Sequence, residues 1–128
     1  MRVLVVKTNN VVRAVQIITQ GYNEVPWADL RKLMPYDIEP LYINRISRLA
    51  FLYLMFVEKG YAHSERPINK LATQLINDPS AIIRGDVVIA RTDHLGDHSK
   101  ILALEEEEIQ TIAAKLSKVS GAQIEVAR

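Results

Sequence analysis

Two Asp-His pairs stand four residues apart in the stretch Arg91-Thr92-Asp93-His94-Leu95-Gly96-Asp97-His98-Ser99-Lys100. Imidazole with carboxylate is a donor set that suits zinc, manganese or iron. On a helix, His94 and His98 would share a face and grip one divalent ion. A metal held by Asp93, His94, Asp97 and His98 would polarise a phosphoryl oxygen or activate water, the chemistry of a metal-dependent hydrolase or phosphoesterase. Gly96 and the strand-like residues before the stretch argue instead for a loop, in which a spacing of four fixes no geometry. A solvated hairpin loop rich in turn formers is therefore the first reading, and the metal site the second.

Elsewhere the chemistry-bearing residues are sparse. His63 beside Ser64 puts a base next to a hydroxyl, but hydrolysis needs a third group and an oxyanion hole, and no residue pattern marks either. There is no Gly-x-Gly-x-x-Gly, no phosphate loop and no Gly-x-Ser-x-Gly in the chain. Arg84 and Arg91 flank Gly85 on an expected strand. Their odd spacing would send them to opposite faces, each able to anchor a phosphate or carboxylate. Asn69 and Lys70, at the start of an expected helix, join them as candidate ligand or partner contacts. The basic pairs Arg31-Lys32 and Arg45/Arg48 offer a weak anionic contact.

The elements that must position these residues are organised around Leu49-Ala50-Phe51-Leu52-Tyr53-Leu54-Met55-Phe56-Val57, nine residues without a charge. At helical rise the run spans ~14 Å, against the ~30 Å that a membrane requires. Its length, aromatic content and the Gly60 turn after it favour a strand buried on both faces, while its Leu, Ala and Met would also allow a buried helix. Residues 2–6 and 11–18 predict a hairpin closed at Asn9-Asn10. Trp27, Leu30, Leu33 and Met34 predict a helix from 26 to 34, stopped by Pro35. Residues 37–43 predict a strand in which Pro40 marks an edge or a bulge. Such an edge could pair with a partner or with a second copy, giving a homodimer.

Asn69 predicts the N-cap of a helix over 70–76. Residues 81–91 predict a strand in which Gly85 marks a bulge or a close backbone approach. A polar excursion over 92–100, a short strand over 101–104 and a helix over 105–119 follow. The glutamates Glu105 to Glu108 sit at the start of that helix, where its dipole favours negative charge, and Gly121 stops it. Residues 123–126 predict a terminal strand. The expected fold is a single α+β domain over residues 1–128, an antiparallel or mixed sheet with about three helices packed on one face.

Composition narrows the function classes. A chain of 128 residues is one domain by length and buries about two thirds of its unfolded surface. The absence of cysteine removes disulfides, thiolate metal sites and cysteine nucleophiles. The apolar run after Met1 is too short for a signal-peptide core, so a cytoplasmic protein is expected, in the host cytoplasm if phage-encoded. A formal net charge of +1 is neither the basic excess of a dedicated nucleic-acid binder nor the acidity of a DNA mimic.

Three segments, in order, carry a resemblance: Pro67-Ile68-Asn69-Lys70-Leu71-Ala72, Ile83-Arg84-Gly85-Asp86-Val87-Val88-Ile89, and Leu104-Glu105-Glu106-Glu107-Glu108-Ile109. With the amino-terminal strand and the helix that follows it, they resemble a domain-of-unknown-function family of small proteins of phages, plasmids and bacteria. The chain departs from that pattern at Val57, where the family often has Asn. The resemblance implies a mobile-element setting and carries no reaction. The expected function is thus a small non-enzymatic accessory protein that binds a host protein or a small ligand, in counter-defence or host regulation. The metal-dependent enzyme described above and a weak nucleic-acid binder are the alternatives.

Overall fold

A computed structural model describes residues 2–17, 27–43, 53–76, 78–92 and 101–128. The chain starts with the expected hairpin, β1 (Arg2–Val6) against β2 (Val12–Gln16), in register from Arg2–Gln16 to Val6–Val12. Its loop is a β-turn closed by Asn10 N–H donating to the Lys7 carbonyl at 3.1 Å, followed by Asn10 at φ 67°. Asparagine tolerates that left-handed conformation, and the Asn9 side chain steadies it by accepting from Val11 N–H at 3.1 Å.

Helix α1 (Trp27–Leu33) and strand β3 (Ile38–Tyr42) follow, and then β4 (Tyr53–Glu58). The described part of the central apolar run is thus a strand, as its length and aromatic content predict. Its side chains alternate between two cores: Tyr53, Met55 and Val57 enter one, Leu54 and Phe56 the other. After a 3₁₀ turn (Tyr61–His63) come α2 (Lys70–Leu75), β5 (Val87–Thr92), β6 (Ile101–Leu102), α3 (Glu106–Ser120) and β7 (Val126–Ala127).

These strands form one sheet in the order β3-β4-β5-β1-β2-β7, with β6 beside the end of β5. Among the described residues every pair of strands is antiparallel except β2 with β7. The fold is α+β with a mixed sheet and three helices, as expected. The placement of the helices is not. Leu71, Leu75, Ile109, Ile112 and Leu116 of α2 and α3 cover one face, whereas Leu30 of α1 and the adjoining Met34 pack on the other. A sheet whose inner strands are apolar on both sides needs both sides covered, so the one-face arrangement is corrected.

One boundary also differs. The strand expected over 81–91 begins only at Val87. Residues 83–85 instead bond back to the chain leading into α2: Asn69 N–H donates to the Ile83 carbonyl at 2.8 Å, and Gly85 N–H to the Pro67 carbonyl at 2.9 Å. Strand β3 is terminal in the sheet and in continuous register with β4, so of the two readings of Pro40 the edge holds. Lys59 N–H donates to the Asp37 carbonyl and Ile43 N–H to the Tyr53 carbonyl, so the odd-numbered residues of β3 bond inward. Pro40 therefore falls at an outward position and removes a donor from the outer edge. Among the described residues no helix is long and apolar enough to cross a membrane.

Candidate functional site

Asn69 is fully buried, and its side chain is spent on the backbone. Its Oδ1 accepts from Ala72 N–H at 3.0 Å, capping α2, while Nδ2 donates to the carbonyls of Val6 at 2.8 Å and Gly85 at 3.0 Å. It pins β1, the lead-in to β5 and α2 at one point. Lys70, next along, is exposed at the helix start.

Arg91 lies on β5 opposite Tyr53, and both reach the first turn of α3. Its guanidinium sits 3.3 Å from Glu108, and the Tyr53 hydroxyl donates to the same carboxylate at 2.7 Å. Burial, then the hydrogen bond and charge of Glu108, push the Tyr53 hydroxyl up to about 12, against the opposing pull of Arg91. Arg84 precedes the strand, so strand alternation does not place it opposite Arg91. Its Nη1 donates to the Arg66 carbonyl at 3.2 Å. His63 is exposed in the 3₁₀ turn, and the Ser64 hydroxyl donates to Glu58 at 2.6 Å. Asp93, His94, Asp97, His98, Arg45 and Arg48 lie outside the described residues. Among the described residues no three His, Asp or Glu side chains gather as metal ligands.

A different set of residues meets in a groove. Val5 of β1, Lys7 just after it, and Arg13 and Val15 of β2 are odd-numbered and share the face that α1 covers. Arg13 pairs with Val5 in register, which makes Lys7 its diagonal neighbour across the hairpin. Lys32 and Leu33 of α1 close the other side. The result is a cavity of about 510 Å³ with an apolar floor of Val5, Val15 and Leu33 and cations around it. Arg128 also lines it, but its guanidinium is paired with Glu106. Lys32 is 3.9 Å from Asp29. Among the described residues Lys7 and Arg13 form no ion pair.

Asp86 and Leu33 line this groove and also a neighbouring cavity of about 300 Å³. There Arg66 lies over the Tyr36 ring, 4.1 Å from its centroid, and is tied to Glu58 at 3.2 Å. The Tyr36 hydroxyl donates to the Asp86 carbonyl at 2.8 Å. Burial pushes that hydroxyl up to about 12, with Arg66 pulling the other way. Gly85 makes the close approach that the sequence suggested. At φ 82° a Cβ there would stand 3.0 Å from Arg66 Cδ and 3.1 Å from the Tyr36 hydroxyl. One Asp86 oxygen accepts from Thr8 N–H at 3.0 Å, which fixes the carboxylate at the boundary between the cavities.

Of the basic residues singled out from sequence, Lys32 reaches this groove. Lys7 and Arg13 were missed, although their matching parity around the Asn9-Asn10 turn was the available signal. In comparisons with protein-family models, curated proteins and solved structures, the chain matches none.

Proposed function

We propose that this chain is a non-enzymatic binding protein that captures an anion in the groove between α1 and the first hairpin. The anion belongs to a small ligand or to an acidic segment of a host protein. The observation that carries this reading is the convergence of Lys7, Arg13 and Lys32 around an apolar floor in about 510 Å³, within the size range of small-molecule sites. The best-positioned polar side chains serve the fold: Asn69 holds three backbone groups, and Arg91, Tyr53 and Glu108 hold one another. The accessory role in a phage or other mobile element rests on the motif resemblance described above.

Calorimetric titration of the intact chain with pyrophosphate tests the reading. Measurable binding that weakens with added salt is expected, since Arg13 and Lys32 are exposed and Lys7 partly so. Lys7→Glu with Arg13→Glu should weaken it at least tenfold, or about 1.4 kcal/mol, without shifting the thermal unfolding midpoint. Equal affinity in the charge-reversed variant would exclude the groove.

A further inference from the structure

We infer that the ligand is a nucleoside phosphate lying across the two adjoining cavities, an inference that rests on the groove reading above. The cavities share Leu33 and Asp86, so together they form one trough with different chemistry at its ends. At one end Lys7, Arg13 and Lys32 suit a phosphate group. At the other, the Arg66 guanidinium is stacked on Tyr36 and tied to Glu58, which makes it a flat, partly exposed platform. A nucleobase stacks well on such a plane.

Between the two stands Asp86, with one carboxylate oxygen committed to Thr8 N–H and the other without a hydrogen bond among the described residues. A carboxylate at that point would accept from ribose hydroxyls, as carboxylates do in nucleotide sites generally. The order along the trough is therefore phosphate, sugar, base. Other anions fit it less well. Bare polyphosphate leaves the platform unused and meets repulsion at Asp86. An acidic peptide meets the same repulsion along its length. A fatty acid has no donor for Asp86.

The test compares ADP, pyrophosphate and a twelve-nucleotide deoxythymidine strand by calorimetric titration of the intact chain. ADP should bind at least tenfold more tightly than pyrophosphate. Arg13→Ala should weaken both. Arg66→Lys keeps the charge and removes the plane, so it should abolish the advantage of ADP and leave pyrophosphate unchanged. Asp86→Asn keeps an acceptor for Thr8 and should lower ADP affinity while leaving or tightening pyrophosphate binding. If ADP binds no more tightly than pyrophosphate, the nucleoside assignment is overturned and the anion groove stands. Tighter binding of the strand than of ADP would replace a mononucleotide by single-stranded nucleic acid. Binding of none of the three overturns both the assignment and the groove.

Discussion

At the scale of single residues, Asn69 has the largest structural consequence. One side chain supplies an N-cap and satisfies two buried carbonyls, which belong to residues 63 and 16 positions away. Asn69→Ala removes the cap, worth about 1 kcal/mol, and strands carbonyls at about 1–3 kcal/mol. A loss of about 3 kcal/mol is expected, read from the urea midpoint at unchanged m-value. Asn69→Asp keeps the cap acceptor but faces two carbonyls with a carboxylate, so it should not restore stability. The cap was legible from sequence, because Asn before a helical stripe is a local signal. The two carbonyls were not, because they arrive from distant segments.

Among the elements, the start of α3 shows how a run of like charges is accommodated. Glu105 N–H is capped by Glu108 at 2.9 Å, Glu108 also takes Arg91 and Tyr53, and Glu106 takes Arg2 and Arg128. Two of the four glutamates, Glu106 and Glu108, thus tie the helix to β1, β4, β5 and the residue after β7, in addition to serving the helix dipole. Hydrogen bonds from Arg128 first, then Gln110 and Arg2, hold the Glu106 carboxyl down to about 2. A depressed carboxyl stabilises the fold above its ordinary value, and that share is lost as pH falls through about 2. In a carbon-detected titration, Arg128→Ala should move Glu106 back toward 4.5. A shift of less than half a unit would show that Arg128 is not its main partner.

For the whole molecule, two partly buried tyrosine hydroxyls lie on opposite faces of the sheet, that of Tyr36 with the core of α1 and that of Tyr53 against Glu108 of α3. Both are raised from 10.0 to about 12. Between those values the unfolded chain loses protons that the folded chain keeps, so stability should be intact below pH 10 and fall as pH rises toward 12. Tyrosinate absorbance during alkaline titration should show two late hydroxyls, and Tyr36→Phe and Tyr53→Phe should each remove one. Ionisation of both near 10 would contradict the burial described for them.

What the sequence determined by itself is the kind and order of the elements. Periodicity, caps and turn residues act within a few positions, so the cap at Asn69 and the stop at Gly121 could be read locally, whereas the central run fitted a buried strand or a buried helix and Pro40 an edge or a bulge until their neighbours were known. The tertiary structure decided which face each helix covers and which distant strands lie side by side. The central run already implied two covered faces, yet which helix takes which face depends on the path of each crossover, and no local pattern encodes that path. The groove is a product of the same choice. Lys7 and Arg13 face α1 because the hairpin register and the side taken by that helix coincide, and Asp86, just before β5, meets them from 78 residues beyond Thr8.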